Sequence, residues 1–204
     1  MQEILNTYKK EKPKIDKFLQ NAKKKSSNKE DVFFELCFCL LTPQSKAPLC
    51  RTSLKNLSDS GKLSGSSAQF MAKDMKSVRF CNNKAKYLVH ARERRDEIFD
   101  KITELKNSPK ELREYLAKNV KGYGYKEASH FLRNIGLGEE LAILDRHILR
   151  YMMNFGFEEL KFLSRKNYLD YEAKFVEFAK GLGLKPAELD IAIWLSASGN
   201  EEIM

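Results

Sequence analysis

The chain has 204 residues, with 37 Lys and Arg against 28 Asp and Glu, for a formal net charge of +9. A hydrophobic share of 42% with 11% aromatics supplies a core for one domain or two small ones and excludes a disordered chain. The longest apolar stretch, residues 32–41, is interrupted by Glu35, so no transmembrane helix is expected; the positive surplus fits either a polyanion such as nucleic acid or a merely solubilising surface.

Residues 1–14 are polar and Lys-rich without an apolar segment, which argues against a secretory signal and for a cytoplasmic or nucleoid protein. Residues 9–25 are dense in lysine but carry Ile15, Phe18 and Leu19 at helical spacing, the pattern of a solvated helix face. Cys37, Cys39, Cys50 and Cys81 contain no Cys-x-x-Cys pair, so they read as buried thiols in a reducing compartment, and no metal or cofactor is expected. The Ser- and Gly-rich residues 58–67 form the clearest loop. Leu88, Ala91, Arg95, Ile98, Phe99 and Ile102 then recur at three- and four-residue steps. Ser108, Pro109 and Glu111 make a capping box that opens a helix through Leu112, Tyr115 and Leu116. Gly136 closes a helix that begins near Tyr125, Asp145 caps one through Ile148, Leu149 and Met152, and Pro186 opens the last, through Leu189, Ile193 and Trp194. The protein is expected to be all-α.

Between two of these helices stands Val120-Lys121-Gly122-Tyr123-Gly124-Tyr125-Lys126-Glu127-Ala128. Two glycines one residue apart permit a tight turn with positive φ and leave backbone N–H groups pointing outward beside a helix N-terminus. Such a corner can hold a nucleic-acid phosphate without reading a base, and it can equally be an ordinary helix corner with glycines for packing. Lys126 falls in the first turn of the second helix, and Asp145 opens the next one in Ile143-Leu144-Asp145-Arg146-His147. A lysine and a carboxylate at two helix starts can converge on one cleft, where an amine is placed to act as a nucleophile.

On these residues the chain resembles the helix-hairpin-helix DNA glycosylases, and within them the archaeal-type 8-oxoguanine DNA glycosylase/AP lyases. The resemblance lies in residues 121–134 and in Asp145-Arg146-His147-Ile148-Leu149-Arg150. It extends to Glu35-Leu36-Cys37-Phe38-Cys39-Leu40-Leu41-Thr42, to Arg79-Phe80, to Lys84-Ala85-Lys86-Tyr87, and to Leu189-Asp190 with Trp194. It spans nearly the whole chain. It implies two helical subdomains, residues 1–42 with 142–204 and residues 43–141, the second a helical barrel ending in the hairpin, with DNA in the cleft between them.

The resemblance also implies the chemistry. The lesion base is flipped out of the duplex, Lys126 attacks C1′ and forms a Schiff base, and Asp145 stabilises the oxocarbenium-like sugar and positions the amine. Gln44, Arg79 and Phe80 would meet the minor groove and the opposite strand; Lys121, Gly122, Tyr123 and Gly124 would hold the backbone. His130, Asp190 and Trp194 would line the base pocket. The partner implied is double-stranded DNA containing 8-oxoguanine or abasic sites, bound by a monomer with no membrane involved.

Family members commonly end in a lysine after a Thr-Gly pair, whereas this chain ends Ser196-Ala197-Ser198-Gly199-Asn200-Glu201-Glu202-Ile203-Met204. Three alternatives compete. An endonuclease III-like glycosylase for oxidised pyrimidines, or an adenine-mismatch glycosylase, usually has a four-cysteine iron–sulfur cluster near its C-terminus, and here no cysteine follows Cys81. A non-catalytic hairpin module would only grip the DNA backbone.

Overall fold

The computed structural model describes residues 2–159 and 164–198. Among the described residues every regular element is a helix: α1 (Gln2–Lys25), α2 (Lys29–Leu41), α3 (Ala47–Asp59), α4 (Lys62–Gly65), α5 (Ala68–Asp74), α6 (Cys81–Glu93), α7 (Arg95–Leu105), α8 (Pro109–Asn119), α9 (Tyr125–Asn134), α10 (Arg146–Met153), α11 (Arg165–Gly181) and α12 (Pro186–Ser198). None of them is long and apolar enough to cross a membrane.

Local chemistry explains most boundaries. Asn28 caps α2 by accepting from the N–H groups of Glu30 and Asp31, and Asp145 and Ser164 do the same for α10 and α11. α9 ends as the chain turns at Gly136, whose φ of 74° is left-handed; a Cβ there would sit 2.5 Å from the Lys23 backbone. Three expectations need correction. The periodicity running through Leu88 and Ile102 belongs to two helices, because the chain breaks at Arg94 between α6 and α7. Residues 58–67 contain the short helix α4. Ser108 precedes α8 but makes no side-chain cap.

The helices enclose two apolar cores. Leu36, Phe38 and Leu40 of α2 pack with Leu54, Leu88, Leu116 and Phe131 from α3, α6, α8 and α9. Ile15 and Leu19 of α1 pack instead with Ile148, Phe175, Leu189 and Ile193 from α10, α11 and α12. The chain changes core between Leu141 and Ala142. α2 therefore packs with the barrel and not, as expected from grouping residues 1–42 together, with the terminal segments. Its apolar residues lie all round the helix, which suits a central position in the larger core. The thiols of Cys37, Cys39 and Cys50 are buried and free, and Cys81 is half-buried.

Buried charge ties α8 and α11 together. The Arg113 guanidinium pairs with the Glu172 carboxylate, both groups being buried, and Glu172 Oε1 also accepts from the N–H of Ala142 at 2.9 Å. Tyr168 donates to the Ala142 carbonyl at 2.7 Å, so both peptide groups of that crossing residue are held. Removing one partner of a buried pair leaves the other charge unsatisfied. Glu172→Ala is expected to cost about 3–5 kcal/mol in urea unfolding at neutral pH; a loss below about 1 kcal/mol would show that Arg113 finds another partner.

Candidate active site

The hairpin joining α8 to α9 closes through the Tyr123 N–H, which donates to the Val120 carbonyl at 3.0 Å. Gly122 has φ 97°, and a Cβ on it would lie 2.5 Å from the Tyr87 ring, so both conformation and space require glycine. Gly124 differs from expectation: its φ is −115°, outside the left-handed region, and its N–H donates to the Glu127 carboxylate at 3.3 Å. Tyr123 differs as well. Only 8% exposed, it donates its hydroxyl to the Leu36 carbonyl at 2.9 Å and anchors the turn in the first core, and burial pushes its phenol well above the ordinary range. Its side chain is thus committed inward, while Lys121, Gly122 and Gly124 remain exposed.

Lys126 is the second residue of α9. Its side chain is 24% exposed, with Nζ 3.7 Å from Glu127 Oε1. Asp145 is the N-cap of α10, its Oδ1 accepting from the N–H groups of His147 and Ile148 at 2.8 and 2.9 Å. Two backbone bonds hold this carboxylate in one orientation.

Both groups bear on a third. Asp190, on α12 and 3% exposed, pairs with the Arg133 guanidinium. Burial pushes its carboxyl up to about 6; Arg133 opposes this, Asp145 raises it further and Lys126 lowers it. Lys126 and Asp145, 19 positions apart in sequence (145 − 126), therefore lie within electrostatic reach of one buried carboxyl.

The polar line continues inward. Asn134 accepts from Arg133 at 3.3 and 3.4 Å and donates through Nδ2 to Glu35 Oε2 at 3.1 Å. Glu35 Oε1 pairs with Lys25 at 2.7 Å and Arg51 at 3.5 Å. His130 lies beside Asn134, with Nε2 3.5 Å from Asn134 Nδ2, and packs edge-on to Phe38. Burial, then Arg133, Lys126 and Arg51, keep its imidazole well below the ordinary range and so neutral. With Asn134 Nδ2 as the donor, the His130 proton is assigned to Nδ1, which is buried without a partner among the described residues. Trp194 is half-buried against the second core.

The remaining expected residues form a separate group. Gln44 is exposed with φ 55°. Phe80 is 54% exposed with φ 58°, a surface residue and not a core one, and the Arg79 guanidinium stacks 5.3 Å from its ring centroid. The sequence reading missed Arg133, Asn134, Ser45 and the structural part played by Lys84. Glu35 did leave a signal, as the single charge inside an apolar stretch. The departure at the chain's end, residues 199–204, lies outside the described residues.

The profile of the family described as 8-oxoguanine DNA glycosylase matches residues 12–184. The chain belongs to that family. An 8-oxoguanine DNA glycosylase/AP lyase of Fusobacterium nucleatum is 40% identical over 189 residues, covering 90% of this chain and 87% of the relative. One from Methanocaldococcus jannaschii is 41% identical, covering 91% and 89%. The crystal structure of the 8-oxoguanine DNA glycosylase of Thermotoga maritima superposes with a TM-score of 0.89 at 30% identity, covering 99% of this chain and 97% of that one. The M. jannaschii 8-oxoguanine glycosylase/lyase in complex with a 15mer DNA containing 8-oxoguanine superposes with a TM-score of 0.87 at 34% identity, with full coverage of both chains. The match decides against the endonuclease III-like alternative, and its extent goes far beyond a hairpin module.

In this 8-oxoguanine DNA glycosylase family member the buried Asp190 offers a direct check on the site's electrostatics. Carboxyl-detected NMR titration is expected to place its midpoint near 6. A midpoint below the ordinary aspartate value of about 3.9 would show that Arg133 outweighs burial.

Proposed function

We propose that Lys126 and Asp145 carry the chemistry of this 8-oxoguanine DNA glycosylase/AP lyase on duplex DNA containing 8-oxoguanine or abasic sites. The observation that carries the reading is their common placement at the starts of α9 and α10, both bearing on buried Asp190. Once the base is extruded, the Lys126 amine attacks C1′ and the base departs with the glycosidic electron pair. The resulting N,O-acetal breaks its C1′–O4′ ring bond, O4′ taking up a proton, to give a Schiff base; loss of a C2′ proton expels the 3′ phosphate by β-elimination, and hydrolysis then frees the lysine. As the sugar gains oxocarbenium character, a carboxylate beside it offsets the positive charge; the two backbone bonds to Asp145 Oδ1 hold it ready for that task.

The surrounding residues divide the recognition. Lys121 and the exposed backbone at Gly122 and Gly124 hold phosphates, Tyr123 serving them as the buried anchor. Gln44 fills the gap left by the flipped nucleotide, and Arg79 and Phe80 engage the opposite strand. In the base pocket, His130 and Trp194 form walls. Asp190 Oδ2 is taken by Arg133, which assigns Oδ1 to the N7 proton that distinguishes 8-oxoguanine from guanine. The protein acts as a monomer in the cytoplasm, at the nucleoid.

Borohydride is expected to trap a covalent complex between the protein and an 8-oxoguanine:cytosine duplex, and Lys126→Gln to reduce trapping to background. Trapping at the wild-type level would move the nucleophile to another amine. Asp145→Asn is expected to bind the duplex normally while excising the base about 10²–10³-fold more slowly; an undiminished single-turnover rate would remove Asp145 from the mechanism.

A further inference from the structure

Gln44 and Phe80 are the non-glycine residues with positive φ among the described residues. A left-handed conformation is unfavourable for a residue with a Cβ, so each needs surroundings that impose it. They are 36 positions apart (80 − 44), yet one pair of side chains links them. Lys84, only 4% exposed, directs Nζ to the carbonyls of Leu41 and Pro43, both at 2.7 Å, and to Ser45 Oγ at 3.0 Å. Those three bonds use the whole donor capacity of an ammonium group. Ser45 Oγ also accepts the Arg79 N–H at 3.0 Å, and the Lys84 N–H donates to the Phe80 carbonyl at 3.0 Å. The bonds close a ring: Phe80 to Lys84 through the backbone, Lys84 to Ser45 through the ammonium, Ser45 to Arg79, and Arg79 to Phe80 through the chain.

We propose that Lys84 and Ser45 are positioning residues that clamp Gln44 and Phe80 into one rigid unit, so that the gap-filling residue and the opposite-strand residue enter the duplex together. The proposal rests on the reading above that these two residues face DNA. Lys84 also brings its charge to the Leu41 carbonyl, the last of α2, where a helix end favours a cation. A capping role alone would not require Ser45 to receive both the Lys84 ammonium and the Arg79 amide, nor Lys84 to sit one helical turn beyond Phe80. The clamp gives the strain a purpose. Opening a duplex requires the flipped nucleotide's space and its orphaned partner to be filled at a fixed separation, and two independently mobile loops would lose that geometry.

The test compares two substrates. On a duplex, excision of 8-oxoguanine needs the gap filled; on a single-stranded oligonucleotide with an abasic site, β-elimination does not. Lys84→Met and Ser45→Ala are expected to slow duplex excision about 10- to 100-fold while changing single-strand cleavage less than about threefold. Ser45→Ala decides the matter if Lys84→Met does not fold, since it opens the ring while the Lys84 ammonium keeps its two carbonyl acceptors. Gln44→Ala, run alongside, is expected to show the same duplex-specific loss. Wild-type duplex rates for Ser45→Ala, with Gln44→Ala slow, overturn the clamp and leave the DNA-facing reading intact. Wild-type duplex rates for Gln44→Ala as well overturn that reading and the clamp with it. Equal losses on both substrates also overturn the clamp, because they mark a general structural defect.

Discussion

The line of polar groups from half-buried Lys25 through buried Glu35, Asn134 and Arg133 to Asp190 is the constraint on which the site depends. It draws on α1, α2, α9 and α12, and so crosses from one apolar core to the other. Apolar packing alone tolerates sliding; a buried charge does not, because displacement leaves it desolvated without a partner. Each member is paired, and each pairing has a direction. The effect is to fix α9 against its neighbours at the end opposite Lys126. Arg113, Glu172 and Tyr168 provide a second tie, reaching α9 through Ser129. With both faces of α9 held by directional bonds, the lysine at its first turn inherits a defined position.

That arrangement reconciles two opposed demands. A chain with a net charge of +9 favours carboxylates that stay ionised, whereas a low-dielectric interior favours neutral groups. The structure separates them. Asp145 keeps partial exposure, with Oδ1 held by two backbone donors at a helix N-terminus. Asp190 takes the buried position, with Arg133 opposing the full effect of burial. The surplus lysines distributed over the chain then supply sequence-independent attraction to the phosphate backbone, which a search for a rare damaged base requires.

Legibility in the sequence followed the range of the interactions. The ends of α9, α10 and α12 were readable at Gly136, Asp145 and Pro186 because a cap or a turn is decided by residues within one helical turn. The break at Arg94 was not, since apolar spacing continues across it into α7. Nor was the side on which α2 packs, because a helix that is apolar all round has no direction to read. Tyr123 looked like a surface group between two glycines; only the position of Leu36, 87 residues earlier, turns it inward. The partners of Arg133 and Asn134 lie 57 and 99 residues away, distances at which local pattern carries nothing. Lys126 and Asp145 stood out through their motif, whereas their common neighbourhood around Asp190 emerged only from the fold.

Two lysines show why composition is silent about role. Lys84 is buried with its three ammonium protons on two carbonyls and a hydroxyl; releasing any proton breaks a bond that holds the loop. Such a group is suited to structure and excluded from attack, because a nucleophile must expose a lone pair. Lys126 is partly exposed, and the ion pair it makes with Glu127 is long at 3.7 Å. Its amine can therefore turn without dismantling its surroundings. The same side chain is thus fixed where its donors are saturated and left free to turn where they are not, as the nucleophile proposed at Lys126 requires, and that difference comes from where the backbone places acceptors.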